Sequence, residues 1–226
     1  LVDALPVHLV ELVGDRLQEI YVAYRGDNFV EIRDEPSTPK LAEYFSDLGI
    51  ELPGAAYPEG YRTEVNLAAR TWLETVDRKL QQGYLLTIDY GYPAAKYYHP
   101  QRYQGTLQCY YQHRRHNDPY LAVGEQDLTA HVNFTDLELQ GNRLGLTHLG
   151  FTRQGLFLMA LGLGDRLATL AQTCKNPAEL FQRRDALHQL IDPMGLGGFG
   201  VLLQGKNLTL NPAECLPRGF VEPAPY

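Results

Sequence analysis

Glu125, Asp127, His131 and Asn133 fall within nine residues of the segment "GEQDLTAHVNF". Two carboxylates two positions apart share one side of an extended backbone. Such a pair can hold a guanidinium in bidentate fashion or take a proton from it. The same residues support a second reading, in which they only shape the chain. Asp127 then closes a turn through Thr129, and Asn133 or Thr135 caps a helix beginning near Phe134. Taken alone, the segment leaves both readings open.

Other candidate motifs carry less chemistry. "GLGGFG" at 195–200 matches G-x-G-x-x-G, but the end of a helix and Pro193 precede it and "VLLQ" follows as a strand. A phosphate cradle needs the reverse order, strand then loop then helix N-terminus, so the segment reads as a turn into an edge strand. "HRRHND" at 113–118 offers two histidines three apart on an exposed loop. Metal centres need further ligands at defined spacing on rigid elements, so no metal site is expected. Ser37 and Ser46 are the only serines and no G-x-S-x-G elbow exists, which argues against a serine hydrolase. Cys109 lies in an expected strand, where a buried, inert thiol is the default.

The elements that must position these residues follow from periodicity. "VHLVELV", "LQEIYVAYR" and "NFVEIRD" are β-branched and aromatic runs separated by Gly14-Asp15 and Gly26-Asp27, the pattern of a β-meander over 7–34. "EPSTPKLAEYFSDLG" reads as a short helix with Ser37 or Thr38 as cap and Gly49 as stop. In "TEVNLAARTWLETVDRKLQQG" the apolar residues from Val65 to Leu80 recur at helical period. "YLLTIDYG" follows as a short apolar run, read as a strand buried on both faces of a parallel sheet and ending in Asp89. Ligands gather beyond the carboxyl ends of such strands, which draws attention to Asp89, Tyr90 and Gly91. Further strands are expected at "GTLQCYYQH", "LTHLGFT" and "FGVLLQGKN". Helices are expected at "FTDLELQGNRLG" and at about 153–172 and 176–191, and a Pro-rich tail, "EPAPY", closes the chain.

Composition bounds the class. The 226 residues are 44% hydrophobic and 21% charged, an ordinary globular balance. No apolar run is long enough to cross a bilayer. Net charge is −7 and no basic block exceeds Arg114-Arg115, so nucleic acid is not an expected partner. Cys109, Cys174 and Cys215 are odd in number and widely spaced, which fits a reducing compartment.

Six blocks, in order, carry a family resemblance: "LVDALPVH", "GYLLTIDYGYP", "RYQGTLQCYYQH", "GEQDLTAHVNFTDL", "LGFTRQGLFLMALG" and "MGLGGFGVLLQGK". With them the chain resembles the MidA family of class I S-adenosylmethionine (SAM)-dependent methyltransferases, which is related to the mitochondrial complex I assembly methyltransferase. The resemblance implies an α/β fold: a partial Rossmann-like methyltransferase sheet with an inserted antiparallel β-meander and extra C-terminal helices. The whole chain, 1–226, would then be the C-terminal portion of one methyltransferase domain. It divides into the meander at 7–34, the core helix, strand and acceptor-side motif at 63–134, and a helical and strand region at 135–226.

The resemblance also implies SAM as cofactor and a protein acceptor, namely an arginine of a complex I-type subunit. It places the glycine-rich donor loop upstream of Leu1, so this chain is expected to lack the cofactor-binding residues. Asp3, Glu125 and Asp127 are implied as catalytic; Pro6, His8, Asp89, Tyr90, His131 and Asn133 are implied as substrate-binding. A cytoplasmic location, or the mitochondrial matrix in a eukaryote, is implied, and a homodimer is one arrangement the sequence allows. The rival reading is a non-catalytic interaction or assembly module.

Overall fold

The computed structural model describes residues 1–209 and 217–221; Cys215 and the expected "EPAPY" tail lie outside the described residues. The chain divides into two compact units, Leu1–Thr75 with Tyr92–Leu137, and Val76–Gly91 with Glu138–Tyr226. Both combine helices and strands, so the class is mixed α/β.

In the first unit, β1 (His8–Val13), β2 (Arg16–Arg25) and β3 (Asn28–Asp34) are consecutive antiparallel strands. The β2–β3 turn places both Gly26 and Asp27 at positive φ, 52° and 66°, the backbone that suits a tight hairpin. Strand β4 (Arg62–Val65) pairs with the other side of β1, giving the order β3-β2-β1-β4. Residues 62–65 are thus strand, although the apolar stripe suggests helix from Thr63. The helix α2 (Leu67–Lys79) starts later, because the Asn66 carboxamide oxygen accepts the Ala69 N–H at 2.8 Å and caps it.

Strand alternation sorts the meander into two faces. Val10, Leu12 and Val65 face a core completed by Leu41, Tyr44 and Phe45 of α1 (Lys40–Asp47) and by Ala94 and Tyr97 of α3 (Ala94–Tyr97). The opposite face carries Leu9, Val22 and Phe29; Tyr24 sits directly across from Phe29. Besides the two-residue strand β6 (Gly91–Tyr92), a second hairpin system is built from β7 (Gln108–Tyr111), β8 (Arg114–His116) and β9 (Asp127–Thr129), in the order β8-β7-β9. "HRRHND" is therefore part of a hairpin rather than a loop. The two-residue strand β10 (Val132–Asn133) leads into α4 (Phe134–Arg143).

A buried carboxylate joins these pieces. Glu64 on β4 is 1% exposed. It accepts the Thr106 and Leu107 N–H groups at 2.8 and 2.9 Å, the Thr106 hydroxyl at 3.0 Å and the Tyr97 hydroxyl at 3.1 Å. Gly105, at φ +70°, passes so close that a Cβ there would sit 2.2 Å from the Glu64 Oε1.

In the second unit, β5 (Gly83–Asp89), β12 (Gly200–Lys206) and β11 (Thr147–Arg153) form a sheet ordered β11-β12-β5, both pairings antiparallel. This corrects two expectations. The partner of β5 is antiparallel, and the strand is not buried on both faces: Tyr84, Leu86 and Ile88 are 54%, 44% and 43% exposed. Strand β12 is central rather than an edge, buried along nearly its whole length. The single helix expected at 153–172 is two, α5 (Gln154–Ala160) and α6 (Leu163–Thr173), broken at Gly162 with φ +95°. The helix α7 (Pro177–Ile191) is capped by the Asn176 side chain, which accepts from the Ala178 and Glu179 N–H groups.

Gly105→Ala adds a methyl against the Oε1 of a carboxylate that four hydrogen bonds hold in place and strains a left-handed backbone. The expected loss is about 2–4 kcal/mol of unfolding free energy, measured by urea denaturation; a change below half a kcal/mol would show that the segment is free to shift.

Candidate functional site

The first unit contains a cavity of about 490 Å³. One wall is the outer face of the meander, with Leu9, Val22 and Phe29. A second is the segment Asp3 to Val7, and a third is Leu107 with Leu128, Thr129 and Ala130. Pro119, Tyr120 and Val123 close the fourth side. The lining is apolar except for Asp3, Thr129 and the Tyr120 hydroxyl, a composition suited to an apolar ligand group oriented by a few polar ones.

Hydrogen bonds fix the walls to one another. The Ala130 N–H donates to the Asp3 carbonyl at 2.9 Å. The Gln126 amide donates to the Pro119 carbonyl at 2.8 Å. The Tyr120 hydroxyl donates to Glu31 at 3.2 Å, and its ring stacks on Phe29 at 6.2 Å between centroids. Arg62 grips both Glu31 oxygens, at 2.8 and 2.6 Å. The Arg62 hydrogen bonds hold the Glu31 carboxyl below the usual carboxylate range, outweighing the upward push of burial.

The residues implied by the sequence part company here. Asp3 and Pro6 line the cavity. His8 does not: strand alternation turns it to the other face of the meander, where its Nδ1 lies 2.7 Å from the buried Glu19. Glu125 and Asp127 are exposed and absent from the lining; Glu125 accepts a 3.4 Å hydrogen bond from the Tyr111 hydroxyl. Asn133 is buried and caps α4, its Oδ1 accepting the Asp136 N–H at 3.3 Å while its amide donates to the Tyr44 hydroxyl at 2.9 Å. Asp89 and Tyr90 belong to the second unit. Asp89 is buried and accepts the Tyr90 N–H at 2.9 Å, and Tyr90 packs on Phe199. For Asn133 the capping alternative describes the contacts.

His131 takes a different place. Its ring stacks on Tyr92 at 5.0 Å. Burial, reinforced by the positive charges of Arg102 and Lys96, lowers its pKa to about 4. The walls that sequence reasoning missed are apolar: Val22, Phe29, Leu107, Tyr120, Val123 and Leu128. Their one signal is that β2 is apolar at both parities, more than a strand with one buried face needs.

Residues 1–152 match the protein family described as "Putative S-adenosyl-L-methionine-dependent methyltransferase". The chain belongs to this MidA-type family. Two mitochondrial proteins named protein arginine methyltransferase NDUFAF7 homolog are similar to it. The one from Caenorhabditis elegans is 29% identical over 201 residues and the one from Drosophila melanogaster 30% over 208; each match covers 86% of this chain. The chain spans 43% of the length of either curated relative. An uncharacterized protein from Burkholderia thailandensis superposes with a TM-score of 0.84 at 33% identity, over 97% of this chain and 56% of that one. A second structure from the same organism, of a protein described as a "likely methyl transferase" and bound to S-adenosyl-homocysteine, gives 0.80 at 34%, over 91% and 51%.

The family's cofactor is SAM. None of the described strands runs through a glycine-rich turn into a helix. The glycines of "GLGGFG" serve packing: a Cβ at Gly197 would lie 2.3 Å from the Ile191 backbone, and one at Gly198 2.5 Å from the Pro193 carbonyl. No group of three or more metal-ligating side chains occurs among the described residues. No described helix is long and apolar enough to cross a membrane.

Two outcomes test this assignment of roles. Asn133→Ala loses a cap and a buried hydrogen bond and is expected to cost about 1–3 kcal/mol, whereas Glu125→Ala and Asp127→Ala each stay within about half a kcal/mol; thermal and urea unfolding separate them, and an equal loss in all three would reverse the reading. His131 is held neutral in the fold, so its contribution is full above its unfolded value near 6.5 and is lost as pH falls towards about 4. Unfolding free energy should therefore decline over that window, and His131→Phe should flatten the decline; an unchanged profile would locate the acid sensitivity elsewhere.

Proposed function

We propose that this chain is the acceptor-side portion of a SAM-dependent protein methyltransferase whose acceptor is an arginine side chain, with a respiratory complex I-type subunit as its protein. The observation that carries the reading is the apolar cavity with Asp3 on its wall. The names of the mitochondrial relatives support arginine as the acceptor class. An arginine reaches a cleft as a planar cation on an apolar stem. Val22, Phe29 and Val123 would receive flanking apolar side chains, and the Asp3 carboxylate would orient the guanidinium.

Glu125 and Asp127 take a modified role in this reading. The strand that carries Asp127 turns Leu128 and Thr129 to the cavity, so the two exposed carboxylates would meet a cationic acceptor on its way in. His8, Asp89, Tyr90 and Asn133 would act through the scaffold, by the contacts already described. Methyl donation would draw on a SAM pocket that these residues do not supply. The rival reading, a docking module without catalysis, is favoured by the lack of a glycine cradle among the described residues.

Two calorimetric titrations test the proposal. SAM added to this chain alone is expected to give no saturable heat, and micromolar binding would overturn the view that the donor pocket lies elsewhere. A peptide with one arginine between apolar residues is expected to bind, and Phe29→Asp or Val123→Asp to weaken it roughly tenfold or more at unchanged thermal stability. Binding indifferent to both substitutions would remove the cavity as the acceptor site.

A further inference from the structure

Three sides of the cavity are held by paired strands or by a backbone hydrogen bond. The meander supplies one, Leu128 and Thr129 lie on β9, and the Ala130 N–H fixes Asp3. The fourth side is different. Pro119, Tyr120 and Val123 belong to residues 117–126, between the end of β8 at His116 and the start of β9 at Asp127. This segment contains no helix or strand. Val123, Val22, Leu128 and Phe29 all line the cavity, yet they are 53%, 54%, 45% and 42% exposed. These four therefore stand at its mouth, and the loop forms part of the rim.

Little holds the loop shut. Among the described residues, Tyr120 is the one member of 118–124 with a hydrogen bond or ring contact beyond residues 116–126. Its hydroxyl donates to Glu31 at 3.2 Å and its ring stacks on Phe29. The remaining bonds stay inside the segment, such as the Tyr120 N–H to Asp118 at 2.9 Å and the Gln126 amide to the Pro119 carbonyl at 2.8 Å. The closed loop also carries costs. Ala122 takes left-handed backbone at φ 53°, where its Cβ crowds the following carbonyl oxygen. The Gln126 Oε1 is buried without a hydrogen-bond partner among the described residues, and solvent would satisfy it once the loop moved.

We propose that residues 117–126 are a lid on the cavity, latched by Tyr120 against Glu31 and Phe29, and that a ligand enters and leaves when the lid opens. The latch closes on a firm base, because Arg62 holds both Glu31 oxygens. Releasing it breaks one hydrogen bond and one ring contact and spares the pairing of β7 with β8 and β9, so opening needs no unfolding of the unit. Loops of this kind open on the microsecond-to-millisecond scale and shield a cleft from water while shut. The inference rests on the proposed cavity as a ligand site, not on arginine as the acceptor.

The test uses two small probes: benzamidine, whose amidinium is a planar cation, and benzyl alcohol, a neutral counterpart. Each is titrated into the chain, and its entry and exit rates are read by NMR relaxation dispersion at partial saturation. Tyr120→Phe keeps the ring and removes the bond to Glu31. It is expected to raise entry and exit rates together, roughly tenfold, as the loss of one hydrogen bond to a carboxylate implies. A residue that merely packed against a bound probe would change the exit rate alone. Tyr120→Ala, which also lacks the ring, should raise both rates further. Tyr111→Phe removes the 3.4 Å bond to Glu125 and should leave both rates as they are. Unchanged entry rates in both Tyr120 variants, with binding intact, would overturn the lid. Absence of binding by either probe would remove the cavity as a ligand site, and the lid with it. Binding of benzyl alcohol alone would count against a cationic acceptor, while its rates still decide for or against the lid.

Discussion

A single buried carboxylate organises the first unit. Glu64 has almost no contact with solvent, and a carboxyl group in that position is tolerated only when its oxygens are hydrogen-bonded. Four donors use them, and all come from segments distant in sequence. The hydroxyl of Thr106, one of those donors, in turn accepts the His131 N–H at 3.0 Å. The Tyr98 hydroxyl donates to the Glu64 carbonyl. Strand β4, helix α3, the approach to β7 and the chain leading to β10 are thereby tied to one residue. Leaving a buried polar group without its hydrogen-bond partner typically costs about 1–3 kcal/mol, so the arrangement is held as a set rather than as separate contacts.

That constraint explains how the polar residues of "GEQDLTAHVNF" are used. With Thr106 fixed, His131 is drawn in through its backbone and its ring falls on Tyr92. Asn133 then lies at the start of α4, where its short side chain can satisfy a helix N–H and the Tyr44 hydroxyl together. Tyr44 also receives the Arg70 guanidinium 4.5 Å above its ring, and Arg70 binds Asp136 on α4. The small residues of the segment are left to form the cavity wall: Thr129 and Ala130 line it, and Ala130 bonds to the Asp3 backbone. The segment positions the wall by committing His131 and Asn133 to the scaffold.

Sequence patterning made some of this legible and concealed the rest. The hairpins at Gly14 and Gly26 were legible because positive φ and β-branched flanks are local properties. The cap at Asn133 was legible as one of two alternatives, since the spacing to Asp136 is also local. Strand β5 was misread: an apolar run signals surface that a strand needs covered, not surface that this chain covers, and Tyr84, Leu86 and Ile88 remain exposed. The direction of its neighbour, β12, is a property of topology more than a hundred residues away, which no local period reports. The cavity was invisible for a related reason. Its lining comes from six separate stretches, and each apolar residue there looks like ordinary core. His8, implied by the resemblance alone, lies on the other face of the meander from the cavity, a difference of one position in strand alternation.

The charge distribution adds a constraint of its own. The net charge of −7 belongs to the first unit, which carries −8, while the second has 9 Asp and Glu against 10 Lys and Arg, or +1. A field of that sign raises the local concentration of cations, and low-dielectric walls focus it. Within the unit, several acids are already committed: Glu31 to Arg62, Glu11 to Arg33, Asp136 to Arg70. Paired acids contribute little to the far field, because their partners cancel them. The attraction that a cationic solute experiences therefore comes from exposed carboxylates such as Glu125 and Asp127, for which no ion pair is formed among the described residues. Screening limits their reach to about 8–10 Å at physiological salt, so they can influence entry to nearby surface but cannot hold a ligand deep in an apolar cavity. In the proposed reading, encounter and retention would be separate tasks, the first falling to exposed charge and the second to the cavity lined by Phe29, Val22 and Asp3.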